Sequence, residues 1–178
     1  MDVASRMESR NRLLDSFYES DVTPMKLGVR DIPDDVLVDA KCDWSRKAVT
    51  SVSERVRLDG FTFTDGYEDE AFNRVVRDNA LVNAFNRNVA SELTHGCMFA
   101  TVNRTGGGTA VRMHTAETAA ATWDEAAGRI GSGMVVADVA TTPWNPSSPE
   151  PVLVNLHLPG RVVVLTRTGP SEWSAEAW

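Results

Sequence analysis

Apolar residues recur at helical spacing in four stretches before Gly96 and at strand spacing after it. Met7, Leu13, Leu14, Phe17 and Tyr18 mark a first helix over 5–20. The stretch SDVTPMKLGVRDIPDD, with two prolines and a glycine, then breaks the period and reads as a loop. From 43 onward Asp43 stands as the expected N-cap, and Trp44, Ala48, Val49, Val52 and Val56 share one helical face. Gly60 leads out of that helix into Phe61 and Phe63, whose alternation with threonine predicts a short strand. Three acids, Glu68, Asp69 and Glu70, open a third helix over 68–77 carrying Phe72, Val75 and Val76. The fourth, over about 80–94, repeats Leu81, Phe85, Val89 and Leu93 every fourth residue and stops at Gly96. Packing of the third and fourth helices is expected, with Trp44, Val52, Phe61, Phe72, Phe85 and Val89 in one core.

Beyond Gly96 the period drops to two. CMFATVN and TAVRMH flank a turn at RTGGG; GMVVADVA, PVLVNLHL and RVVVLTRT follow, the last two joined by Pro159-Gly160. The alanine-rich stretch before GMVVADVA reads as a helical turn with Trp123 in the core, and TTPWNPSSPEP (141–151) as a mobile hairpin tip. Helices first and strands second predict an α+β fold, N-terminal helices packed on a mostly antiparallel sheet. One domain spanning 1–178 is expected, helical over about 5–95 and sheet over about 96–178.

With 42% hydrophobic residues the chain can build an ordinary core. Its net charge of −7 and pI near 4.9 argue against a broad phosphate-binding surface. Cys42 and Cys97 form no C-x-x-C pair, which disfavours a disulfide framework or zinc knuckle and fits a reducing compartment. The start, MDVASRMESR, has no apolar leader, and no stretch approaches the ~20 apolar residues of a membrane span. A cytosolic protein, or part of an assembly built in the cytosol, is expected.

Candidate chemistry is sparse. Gly106-Gly107-Gly108 is followed by TAVRMH, a strand pattern, where a phosphate loop needs G-K-[ST] opening a helix. GRIGSG at 128–133 lacks the G-x-G-x-x-G spacing. His95, His114 and His157 sit in no metal-ligand spacing, and no G-x-S-x-G elbow occurs. No catalytic residue, cofactor or metal is expected. The five tryptophans divide, in this reading, between the core (Trp44, Trp123) and a contact surface (Trp144, Trp173, Trp178).

Taken in order, these segments resemble portal proteins of tailed double-stranded DNA bacteriophages. DWSRKAVTSVSERVRLDGF (43–61) is similar to the family pattern N-W-x-x-x-V-V-x-x-x-x-E-R-L-x-x-x-G-F, with Trp44, Glu54, Arg55, Gly60 and Phe61 at matching places and Asp43 for the usual asparagine. The aromatic pair of FYE, with Tyr18, precedes it. LTHGCMFATV, with Gly96, is similar to the family's helix-glycine-strand step, and TAETAAATWDEAAGRI to its short turn before the next strand. The resemblance spans roughly residues 10–173, the outer N-terminal wing, without the stem, clip and crown of the longer family members. It implies a structural component of a ring that admits DNA during packaging and then joins head to tail, here as a wing fragment or prophage remnant. Implied partners are other portal subunits, capsid and scaffold proteins, terminase and neck proteins, with DNA passing through without sequence-specific binding. The implied location is the portal vertex of the virion or the host cytoplasm. The rival expectation is a small α+β enzyme or a free-standing protein-binding module.

Overall fold

The computed structural model describes residues 3–21, 43–64 and 69–178. Apart from Ser20 and Asp21, the expected proline-bearing loop lies outside the described residues, as do Cys42 and Glu68. The described residues form an α+β fold: four helices, then seven strands in two antiparallel sheets. The chain divides into two compact units, Met1–Gly96 and Cys97–Trp178, at the glycine that ends the helical pattern. Among the described residues no helix is long and apolar enough to cross a membrane.

The helical unit holds α1 (Val3–Tyr18), α2 (Trp44–Ser53), α3 (Glu70–Asp78) and α4 (Leu81–His95), with α1, α2 and α3 each touching α4. Asp69 caps α3, its carboxylate accepting from the amides of Ala71 and Phe72 at 2.8 and 3.3 Å. Helix α4 ends where Gly96 turns left-handed at φ 82°, its amide returning to the Glu92 carbonyl at 2.7 Å. A Cβ there would meet only Arg10 Nη2, at 4.0 Å, so the backbone angle and not crowding selects glycine. Leu81 and Val89 are the buried apolar residues of α4. The imidazole of His95, also buried, lies with Nε2 2.9 Å from Asp15 Oδ1 and Nδ1 3.1 Å from Ser91 Oγ, tying α4 to α1.

Three expectations about this unit need correction. Asp43 does not cap α2 with its side chain: at φ −74°, ψ 23° it lacks the extended conformation that aims a carboxylate at the N2 and N3 amides, and it accepts instead from the Ser20 hydroxyl at 3.1 Å. Phe61 and Phe63 form no strand. Among the described residues no backbone pairs with them, and both rings meet Phe72 edge-on at 5.4 and 5.3 Å, while the Leu58 amide donates to Asn86 Oδ1. Of the six expected core residues only Val89 is buried. Phe72 and Phe85 are half-buried, Phe61 is exposed, and Trp44 and Val52 are 77% and 49% exposed.

The sheet unit begins with a hairpin of β1 (Met98–Thr105) and β2 (Gly108–Thr115). Gly106-Gly107 forms its two-residue connection, as the turn reading expected. A five-stranded meander follows: β3 (Ala119–Asp124), β4 (Arg129–Thr142), β5 (Asn145–Leu158), β6 (Arg161–Arg167) and β7 (Trp173–Ala177), each paired with the next. Pro159-Gly160 turns β5 into β6, with Gly160 at φ 75° as a type II turn requires. Ala119, Val135 and Val154 supply the buried centre of three consecutive strands.

Here too the pattern misleads in places. The alanine-rich stretch is strand β3 and not a helical turn, because pairing with β4 and burial of Ala119 outweigh alanine's weak helix preference. Trp123 consequently stands on an edge strand and is exposed. The expected tip over 141–151 shrinks to Pro143-Trp144, since Thr142 already faces Asn145. The prolines beyond it, Pro146, Pro149 and Pro151, are absorbed by β5 where the register to β4 shifts repeatedly, as residues without an N–H require. The segment from Trp173 is strand β7.

Candidate functional site

Of the positions singled out by sequence, Trp44 and those that follow it gather on α2 and its exit. Helix α2 turns Arg46, Val49, Thr50 and Ser53 inward, leaving Trp44, Ala48 and Val52, one position per turn, facing solvent. Val56 continues the exposed apolar line beyond the helix. Glu54 and Arg55 close the last turn through their amides, to the carbonyls of Thr50 and Val52, and their side chains are exposed. Arg46 lies 5.4 Å over the Tyr18 ring and pairs with Glu19, so Tyr18 helps fix α2 beside α1. Gly60 meets nothing within 4 Å and has no positive φ, so neither space nor backbone angle demands glycine there.

An apolar line on an exposed helix face carries no folding energy for the unit that bears it. Trp44→Ala therefore changes stability by less than about 0.5 kcal/mol in urea denaturation. A loss above about 2 kcal/mol would place the indole in a core.

Trp144 and Trp173 belong to one polar cluster at the end of the meander. The Glu150 carboxylate accepts from the Thr142 hydroxyl and the Trp144 indole at 2.7 and 2.5 Å, and lies 3.1 Å from Arg167 Nη1. Arg167 also donates to the carbonyls of Gly169 and Pro170 and sits 5.6 Å from the Trp173 ring centre. Two of the three expected contact tryptophans are thus held in place by this ion pair, whereas Trp178 is 75% exposed. Nothing in the local sequence announces the Glu150–Arg167 pair, because the partners lie 17 residues apart on adjacent strands.

The sheet unit also holds an open cleft of about 620 Å³ between β1 and the β3–β4 ribbon, bordered by the β5–β6 turn. Phe99, Val102, Ile130 and Met134 give it an apolar lining. Its polar groups largely serve the fold: Thr101 Oγ1 bonds His114 at 2.9 Å, Ser132 bonds Thr122 at 2.7 Å, and Asp124 accepts from the amides of Ala126 and Ala127 in the β3–β4 turn.

Two groups of this unit titrate away from their usual range. Burial, then the charges of Arg112 and His157, lowers the pKa of His114 below its ordinary 6.5. Hydrogen bonding by Thr142, then by Trp144 and Asn145, with the charge of Arg167, lowers Glu150 below its ordinary 4.5 against an opposing effect of desolvation. In both cases the unfolded chain binds the proton more tightly. The contribution of His114 is therefore complete above pH 6.5 and is lost as pH falls through its lowered folded value; that of Glu150 is complete above 4.5 and disappears at still lower pH. Thermal melts of the sheet unit should fall in two steps on acidification, with His114→Gln abolishing the upper step and Glu150→Gln the lower. A melting temperature that stays flat until pH 4.5 would contradict the first assignment.

Comparison of the chain with protein-family models and with curated proteins gives no match.

Proposed function

We propose that this chain is the wing portion of a portal-ring subunit of a tailed double-stranded DNA bacteriophage, a structural part of the assembly through which DNA is packaged and to which the tail connector is joined. The observation that carries this reading is the exposed line Trp44–Ala48–Val52 on α2. The stretch that resembles the portal pattern carries an apolar stripe that the described residues of its own unit leave uncovered, and exposed apolar residues in a row favour a surface that another protein surface closes over. The proposed partners are further portal subunits, with capsid, scaffold, terminase and neck proteins reached through other parts of a full portal. The acidic net charge suits a channel component along which DNA slides without being gripped.

Ring contacts are heterologous and gain much of their strength from closure. In this account the stem and crown supply most of that contact, so light scattering on the purified chain should give a folded monomer or a weak oligomer at micromolar concentration. A stable ring of a dozen or so subunits would overturn this division of labour. The flanking reading frames give a second test: a terminase upstream and a scaffold or maturation protein downstream are expected.

The cleft of about 620 Å³ favours a rival reading as a small-molecule-binding module or enzyme, since its volume lies in the range of ligand sites. Saturable binding of a small metabolite that Ser132→Trp abolishes would establish the rival.

A further inference from the structure

Strand β7 is the last strand of the meander, and all five of its residues are exposed. Its backbone phase can be read from the bonds to β6. Trp178 exchanges both backbone hydrogen bonds with Val162, at 2.8 and 3.0 Å, and the Glu172 carbonyl accepts from the Thr168 amide. In an antiparallel ladder the residues that bond inward alternate with those that do not. Glu172, Ser174, Glu176 and Trp178 therefore direct their backbone groups toward β6, and Trp173, Ala175 and Ala177 present theirs to the outer edge, where no described strand pairs with them.

Edge strands are ordinarily blunted by proline, by lysine or by a bulge. WSAEA has neither residue, and its pairing to β6 runs without a register shift. Its single charge, Glu176, projects from a sheet face, as strand side chains do, and its backbone groups point to β6 and not to the outer edge.

We infer that the β7 edge pairs antiparallel with the β7 edge of a second copy of this chain, about a two-fold axis at Ala175. In that register Ala175 faces Ala175 and Trp173 faces the other copy's Ala177, giving three facing pairs of two backbone bonds each. Ser174 falls opposite the other copy's Glu176, where a hydroxyl can donate to a carboxylate. Moving the axis to Glu176 sets two carboxylates face to face and leaves two facing pairs; moving it to Ser174 likewise leaves two, Trp173 with the other copy's Ala175 and the reverse, the third falling to Ser171 outside the strand. The sequence thus selects one register. The contact is small, so the dimer is weak, and it is isologous, so it closes at two copies and cannot build a ring.

Sedimentation of the full chain from low micromolar to millimolar concentration should show the mass rising reversibly from 19.5 kDa toward twice that value. Ala175→Pro should abolish the rise, because it removes an outward N–H while leaving the inward bonds to β6, a position where edge strands tolerate proline. Ala175→Lys, which sets two cations opposite each other, provides a second variant in case the proline disturbs the strand, and should also keep the chain monomeric with an unchanged melting temperature. Ala175→Cys should cross-link on mild oxidation, the facing Cα atoms of such a pair being about 5.5 Å apart, within disulfide reach. Glu176→Cys should link far less, and the wild-type chain treated identically reports any link through native cysteines. A chain monomeric throughout the range, or a dimer indifferent to both Ala175→Pro and Ala175→Lys, overturns the inference. Either result leaves the portal proposal intact, since that rests on α2 and on heterologous contacts.

Discussion

Replacing Leu81 with alanine should lower the stability of the helical unit by about 2 to 5 kcal/mol, the range for truncating a buried leucine. Leu81 is 5% exposed and, with Val89 at 1%, forms the apolar centre against which the other helices lie. It also opens α4 directly after Ala80, a non-glycine residue held at φ 46°, so the turn has little freedom to collapse into the space a lost side chain leaves. Urea denaturation followed by far-ultraviolet circular dichroism measures the loss. A value below about 1 kcal/mol would mean that the centre of the unit lies elsewhere.

Phe72→Ala should cost about 2 to 4 kcal/mol, somewhat under the full range for a buried aromatic because the ring is half-buried. The expected loss has two parts. Phe72 packs α3 into the unit, and its ring is also the surface against which Phe61 and Phe63 are held, each edge-on pair adding about 0.5 to 1.5 kcal/mol beyond burial. Without it the segment 58–64 loses both ring contacts and retains the bond from the Leu58 amide to Asn86. Hydrogen exchange should therefore accelerate at Leu58 and along α3 more than in α4. Uniform acceleration through all three would show that Phe72 supports the unit as a whole and not this clamp.

What the sequence revealed depended on whether a signal was local. The end of α4 was legible because Gly96 is required by a backbone angle, and the β1–β2 and β5–β6 turns because local glycines at positive φ, Gly108 and Gly160, mark them. The three acids were legible as a helix start for the same reason, and the structure makes one of them, Asp69, the cap: its carboxylate bonds amides two and three residues away. The short strand at Phe61 failed because a strand needs a partner, and alternation over three residues does not say whether one exists. Ala119–Asp124 failed in the opposite sense, a helix-forming composition recruited into a sheet by β4.

The error on α2 is the most informative for function. Periodicity put Trp44, Ala48, Val49, Val52 and Val56 on one face; the structure turns Val49 inward and leaves the other four exposed, and periodicity could not tell which surface covers the stripe, the helix's own unit or another protein. The β7 edge escaped notice because which backbone groups face outward is fixed by the ladder with β6, which no local pattern in WSAEA contains.

Whether the chain sits in a portal ring, as proposed, is decided by counting it in particles. Tailed particles should be induced from the cell that carries the gene, purified, and analysed by quantitative mass spectrometry for peptides spanning α2 and β5. The account predicts this sequence in DNA-filled heads at about a dozen copies per particle, the stoichiometry of one ring at a single vertex. Particles that contain the coat, the DNA and the tail but no trace of these peptides would contradict it.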